Sequence, residues 1–450
     1  MSTTSPRAEA GAVRQEKSLL DSQAYKTYVL AVLVLGYIFN VIDRGVFGIL
    51  VQQIKESLQV SDTFMGLVSG TAFAVCYAVM GIPIARLADR WSRVNVLSLA
   101  IGVWSVATAL TGAAFNHISL FFARATTAVG EAGGSPPSHS LISDYFPLSQ
   151  RATALAIYAM AVPFGTAIGN FVSGHANLAF GWRMTFVLVG LPGLLVALLI
   201  RLTLKETPRG YSDGPEAREK RRDTPPFFEV FRFLLTRNSF MHMSVAAALH
   251  SVVWYAGSNW NSAFFQRSHG MDTGGAGNYL AMFALIGAIG SFSGGFLSDK
   301  ISTRYDDKRW YMWVPGIACV VMVPFQFLSY LSPNMSVVVP SFSIMVVLAS
   351  FFFGPSFAVA QSVATVRMRA VSTSVLLFIQ TIIGLTLGPL LVGLISDYFT
   401  PTAGSDSLRY GMVIVGLANI WAAFHYFMGS RKYREDLAET ARLNAARSAA

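Results

Sequence analysis

The segment GYIFNVIDRGVFGILVQQ, from Gly36 to Gln53, sets Asp43 and Arg44 side by side in an otherwise apolar run. A charge at the centre of a membrane helix costs about 2.5 to 3.5 kcal/mol on insertion scales, so each needs a partner or a water-filled cavity. Neighbours on a helix point about 100° apart, so the two cannot satisfy each other across one face. The stretch therefore predicts a membrane-spanning helix that meets other polar groups on its inner side.

Composition agrees with that reading. Over 450 residues, 53% are hydrophobic and 13% charged, with a mean hydropathy of +0.49, too apolar for soluble domains. A crossing helix needs about 20 apolar residues, and twelve such segments recur. They span 27–51, 63–87, 93–115, 118–142, 151–176, 183–204, 239–265, 275–298, 310–331, 336–362, 371–397 and 409–429. The expectation is an all-α integral membrane protein with a tail at 1–26, a first half at 27–204, a charged linker at 205–238, a second half at 239–429 and a tail at 430–450. The first tail lacks the apolar core of a secretory signal.

Basic residues set the orientation. Assigning loops alternately to the two sides places 28 Lys and Arg on one and 4 on the other, which predicts a multi-pass protein of the cell membrane with both termini cytoplasmic. The net charge of +10 is then a matter of topology and implies no nucleic-acid partner. Cys76 and Cys319 fall inside spans, which argues against a disulfide, and the seven histidines show no metal-ligand spacing, so no metal or cofactor is expected.

Only Arg44 and Arg124 among the bases, and Asp43 and Glu131 among the acids, lie deep in a span. In RATTAVGEAGG, Arg124 and Glu131 are seven residues apart, two turns along one face of the fourth helix, with a rise of about 10 Å. These four residues predict a polar cluster between the first and fourth helices. A static ion-pair network fixing the two helices is the plainer alternative.

The chain also repeats itself. ARLADRWSR, Ala85–Arg93, closes the second span and GFLSDKIS, Gly295–Ser302, closes the eighth, with Asp89 and Asp299 offset by 210 residues. Gly165, Gly169 and Gly174 match Gly384, Gly388 and Gly393 at a constant offset of 219. Two parallel six-helix halves joined by a linker suit a carrier that rocks one lobe against the other around a midplane site.

On these motifs the sequence resembles the major facilitator superfamily over nearly its whole length. Its loop signature G-x-L-x-D-R-x-G-R is similar to Ala85–Arg93, with Ala85 and Ser92 replacing the two glycines, and the copy at Gly295–Lys300 lacks the distal part. DRGVFGIL, RATTAVGEAGGSPPSHSLISDYFP and GWRMTF resemble the spinster subfamily. That resemblance implies an amphipathic lipid substrate, such as a lysophospholipid or sphingosine 1-phosphate, moved with protons. The family architecture also implies that Asp89 caps the start of the eleventh helix.

Roles follow for the candidates. A carboxylate in a poorly solvated cavity favours its protonated form and a nearby Arg favours the charged one, so Glu131 and Asp43 are candidates for proton coupling, with Arg44 or Arg124 holding an anionic headgroup. Trp254, Tyr255, Asn259, Trp260 and Phe264 in the seventh helix, with Phe353 and Phe357 in the tenth, are candidates to line a pocket for an acyl chain. Asp89, Arg90, Arg93, Asp144 and Asp299 form the expected cytoplasmic latch. An enzyme would need a nucleophile–base constellation or metal ligands, and a channel would need polar repeats in both halves; neither pattern occurs. A monomeric secondary transporter among membrane lipids is expected, with other organic anions or drugs as the alternative cargo.

Overall fold

The structure is a computed structural model describing residues 19–213 and 225–449. Parts of the expected first tail and of the linker lie outside the described residues, and with them Arg7, Arg14, Lys17, Arg218, Lys220, Arg221 and Arg222 of the charge count.

The described chain is helical. Helix α1 runs Gln23–Leu58, α2 Asp62–Arg90 and α3 Arg93–Thr111. Helix α4 is made of His117–Glu131 and Ser135–Tyr145. Helix α5 starts with Leu148–Ala159 and continues into Ala161–Gly190, where Gly181 at φ +75° breaks the run; α6 follows and ends with Pro192–Thr203. A short helix, Phe227–Leu235, precedes α7 at Asn238–His269, α8 at Thr273–Arg304 and α9 at Trp310–Leu331. Helix α10 is split into Met335–Ala349 and Phe353–Ser362, α11 runs Arg369–Ala403, and α12 joins Ser407–Gly416 to Ala418–Ala449.

Among the described residues, eight helical runs are apolar and long enough to cross a membrane, and two of them, of 56 and 81 residues, are each long enough for two crossings. The remaining crossings, α4 and α7, are diluted by polar residues: Arg124 and Glu131 in one, His250 and the run SNWNS in the other. The segment expected as a tail from residue 430 instead prolongs α12. Its Asp436 accepts from the amide of Ser239 at 2.9 Å and so caps the start of α7, and Thr440 donates to the carbonyl of Val363 at 3.0 Å.

The repeated glycines show how the halves are related. Gly165 and Gly169 let α5 approach Ile38, Val41 and Ile42 of α1, as Gly384 and Gly388 let α11 approach Ser251 and Val252 of α7. The third glycine of each row reaches across: Gly174 lies on Thr273 of α8, and Gly393 on Asp62 of α2. Each lobe thus buries its own first helix and lends its fifth to the other lobe's second.

These crossings sit at one face. Among the described residues, hydrogen bonds between the lobes run from Thr71 on Thr386 outward to Asp62 on Asp397, all on the side where α1 ends and α2 begins. Toward the other face, where α2 and α8 end, no hydrogen bond or ion pair joins the lobes among the described residues.

Candidate functional site

On α1, Tyr37 and Arg44 are two turns apart on one face, while Asn40, Asp43 and Phe47 share another. The angular separation expected for Asp43 and Arg44 is realised: Asp43 is fully buried, whereas the Arg44 side chain is 35% exposed in mid-helix and so opens to the space between the lobes. Arg44 reaches Glu131 of α4 with Nη2 at 2.6 Å and Nε at 2.9 Å from the same carboxylate oxygen, Oε2. Glu131 can stand there because Gly130 lets α4 close on α3, where a Cβ would come 2.6 Å from the amide of Trp104.

The expected competition for Arg124 takes a different form. Glu131 is held by Arg44, not by Arg124, although the latter lies two turns away on the same helix. The buried Arg124 guanidinium instead faces the rings of Phe47 at 4.6 Å and Phe73 at 5.1 Å, and its Nε and Nη1 make no hydrogen bond. Aromatic faces attract a cation without filling its N–H donors, so hydrogen-bonding capacity toward an anion is left over. The second oxygen of Glu131 and both oxygens of Asp43 are likewise unbonded, and the Thr108 hydroxyl stands beside Asp43.

Tyr37, Tyr77 and, from the second lobe, Tyr255 surround the pair of Arg44 and Glu131. Tyr37 is stacked on Tyr158 at 4.6 Å, and the Arg44 guanidinium lies 5.6 Å from the Tyr77 ring. Tyr37 and Tyr77 were not among the candidates; the spacing of seven between Tyr37 and Arg44 is the signal that could have found the first.

The aromatic candidates divide. Trp254 meets Phe353 edge-on at 5.6 Å, and with Tyr255, Asn259 and Phe357 these are only half-buried. Trp260 and Phe264 do not line the space between the lobes. Trp260 is fully buried and donates to the carbonyl of Pro389 at 2.9 Å, and Phe264 is enclosed by Phe265 and Tyr330 at 5.2 and 5.0 Å. Both lie past the midpoint of α7, where the lobes close, so they pack the core.

Residues 33–385 match the Major Facilitator Superfamily. The chain belongs to that superfamily, on its spinster-like branch. It is 32% identical to a bacterial homologue of the human lysosomal transporter spinster, solved in an inward-facing, unoccupied conformation, with 92% of this chain and 99% of that one covered at a TM-score of 0.84. A major-facilitator-type efflux pump of Mycolicibacterium smegmatis is 29% identical over 92% of this chain and 94% of its own length. Protein spinster homolog 1 of Xenopus laevis is 27% identical over 90% of this chain and 81% of its own length. This spinster-like chain is a membrane transporter, not an enzyme.

The expected latch is only partly assembled. Arg93 is buried, paired with Asp144 and with Glu206 at 2.7 Å, and bonded to Ser140 at 2.9 Å. Burial raises the Glu206 carboxyl, but the Val94 amide, the Arg93 guanidinium and the Ser92 hydroxyl outweigh it and hold the group below its ordinary value. Asp89 does not cap α11: its side chain is 76% exposed and its partner is Arg209 of the linker at 3.6 Å. Arg90 makes no ion pair among the described residues, and Asp299 accepts from the Tyr311 hydroxyl at 2.6 Å. Among the described residues, no bond joins Asp89 to α11.

The opposite face holds a clasp that sequence reasoning missed. The buried Asp62 receives both terminal nitrogens of Arg267 at 2.7 Å, Lys55 at 2.7 Å and the Ser396 hydroxyl at 2.7 Å. Asp397 accepts the first amides of α2, from Asp62 at 3.0 Å and Thr63 at 2.7 Å. By sequence Lys55 and Arg267 are two of the four basic residues on the less basic side and carry no other signal. The available signal was Asp62 standing 210 residues before Asp272, the offset that links Asp89 with Asp299.

Proposed function

We propose that this chain is a proton-coupled carrier that moves an anionic or zwitterionic amphiphile, a lysophospholipid or sphingosine 1-phosphate in kind, by alternating access. In this reading its termini face the cytoplasm, and the face without bonds between the lobes is the cytoplasmic one, parted in this state. The observation that carries the reading is Arg124, a buried cation with free N–H donors, set among aromatic rings beside a carboxylate already held by another arginine. A headgroup anion bound at Arg124 draws on those donors, and the negative charge it brings makes a proton on Glu131 or Asp43 more favourable, which links the two occupancies. The half-buried Trp254, Tyr255, Phe353 and Phe357 supply apolar surface for the chain across the space between the lobes. Asp89, Arg90, Arg93, Asp144 and Asp299 act at the parted face, closing it when the clasp at Asp62 opens.

Efflux or uptake of other organic anions is the second reading, favoured by the likeness to the mycobacterial efflux pump. Flux into proteoliposomes under an imposed pH gradient, measured for amphiphiles of graded chain length, tests the proposal. Each methylene removed is expected to weaken binding by about 0.8 kcal/mol, roughly fourfold. Affinity indifferent to chain length would leave the organic-anion reading standing instead.

A further inference from the structure

The first lobe holds the membrane-embedded charges, but the second lobe holds a buried histidine whose bonding has no place in the reading above. His250 lies in α7, 2% exposed, between α9, α10 and α12. Its Nε2 is 2.8 Å from the carbonyl oxygen of Ala349, and its Nδ1 is 2.8 Å from Oδ1 of Asn419. A carbonyl only accepts, so Nε2 carries a proton. In one orientation Asn419 presents Oδ1 to Nδ1 while its Nδ2 donates to Oε1 of Gln326 at 3.0 Å. With the amides turned this way Nδ1 donates as well and the ring is an imidazolium; with both turned over Nδ1 accepts and the ring is neutral, and the distances fit both states.

We infer that His250 is a second proton-binding site of the carrier, and that the amide pair Asn419 and Gln326 registers whether the proton is present. When the ring loses the Nδ1 proton, the chain of bonds can be kept by turning both amides over: Asn419 Nδ2 donates to Nδ1, and Gln326 Nε2 donates to Asn419 Oδ1. The Nε2 bond to Ala349 is the same in both states. Proton binding therefore costs no buried hydrogen bond, and the charge it brings meets two oxygens, the Ala349 carbonyl and Asn419 Oδ1.

The groups packed around His250 leave the proton to this chain of bonds. From α9 comes the Cys319 thiol, with Sγ 3.6 Å from Nδ1, and from α10 the Phe352 ring at 4.6 Å. From α12 the nearby Tyr426 hydroxyl is engaged with Ser356 at 3.0 Å. Two turns back on α7, His242 is paired with His425 through nitrogens 2.9 Å apart. Among the described residues, no carboxylate or guanidinium bonds to His250.

The position gives the proton something to act on. Ala349 is the last residue of the first segment of α10, and Asn419 is the second residue after the break in α12. Gln326 packs against Gly416, the last residue before that break. One turn beyond His250, Trp254 meets Phe353 at the restart of α10. The imidazole thus joins two helix breaks to the aromatic wall of the second lobe, and reversing the amides changes the bond between α9 and α12.

The inference does not depend on the substrate or on the role of Glu131, and its test separates them. Full-length protein labelled with 15N-histidine, in lipid nanodiscs, is titrated, and the His250 signals are assigned by difference from His250→Gln. Both ring nitrogens are expected protonated at the acid end of a titration over about pH 4 to 9, with Nδ1 losing its proton as the pH rises. In Asn419→Asp, a carboxylate replaces the amide that can turn, so the transition moves to higher pH. A ring that stays a single neutral tautomer across that range, or a transition that Asn419→Asp leaves in place, overturns the inference. Should His250→Gln fail to fold, the shift in Asn419→Asp assigns the signal and decides the question.

Discussion

Arg44 gives two hydrogen bonds to one oxygen of Glu131, at 2.6 and 2.9 Å, and leaves the other oxygen of that carboxylate unbonded. The pair joins α1 to α4 while Arg124, on the same helix as Glu131, rests on two phenylalanine rings. One arginine holds the carboxylate in place and the other keeps N–H donors without a hydrogen bond.

Glu131→Gln and Arg124→Leu are expected to separate these duties. Gln can still accept from Arg44, so the protein should fold, bind substrate and lose the pH dependence of its flux. Arg124 has no hydrogen-bond partner to orphan, so Arg124→Leu should lose about 0.5 to 2 kcal/mol of cation–π attraction yet abolish substrate binding. Melting temperature, ligand binding and proton-driven flux on the same preparations check both. A Glu131→Gln protein with normal pH-dependent flux would falsify the coupling role.

Opening of the clasped face requires Asp62 to part from Arg267 and Ser396. Arg267→Ala removes the two-pronged contact and should raise the population open at that face. Spin labels at the start of α2 and the end of α11, read by double electron–electron resonance, should show a longer distance component there. An unchanged distribution means the glycine crossings, not the ion pairs, keep the face shut.

Acid should loosen the linker. Glu206 is held below its ordinary value by bonds made only in the folded state, so the stability it contributes is fully present above the unfolded carboxylate value, about 4.3, and is lost as pH falls through the lower folded one. Proteolysis of the segment around Thr207 should therefore accelerate on going from pH 7 to pH below about 4. In Glu206→Gln the acid-dependent part of that acceleration should vanish. An identical pH profile in both proteins counts against the contact with Arg93 and Val94.

Glycine substitutions should divide by neighbour. A Cβ at Gly384 would lie 2.6 Å from the Ser251 Cβ and 2.8 Å from its backbone carbon, so Gly384→Ala should destabilise by about 1 to 3 kcal/mol. Gly102 in α3 has nothing within 4 Å, so Gly102→Ala should be neutral or stabilise by up to about 1 kcal/mol. Thermal melts in one detergent compare them directly, and equal shifts would remove the close crossing from the account.

The sequence determined the membrane setting, the two related halves and the members of the charge cluster. Apolar runs of crossing length, a constant glycine offset and four ionisable residues within spans are all local or periodic signals, and each has one physical meaning in a bilayer. Which arginine meets Glu131 was not local. Helical spacing favoured Arg124, but only the approach of α1 to α4 brings Arg44 to the carboxylate and turns Arg124 onto Phe47 and Phe73. The fate of Trp260 and Phe264 was decided in the same way, because an aromatic on α7 lines a cavity or fills a core according to where the lobes touch. Asp62, Arg267 and Asp397 are separated by more than a hundred residues along the chain, and tertiary structure alone joins them. It buries a carboxylate that hydropathy places at a helix end, and a buried charge must collect its partners from wherever the fold supplies them.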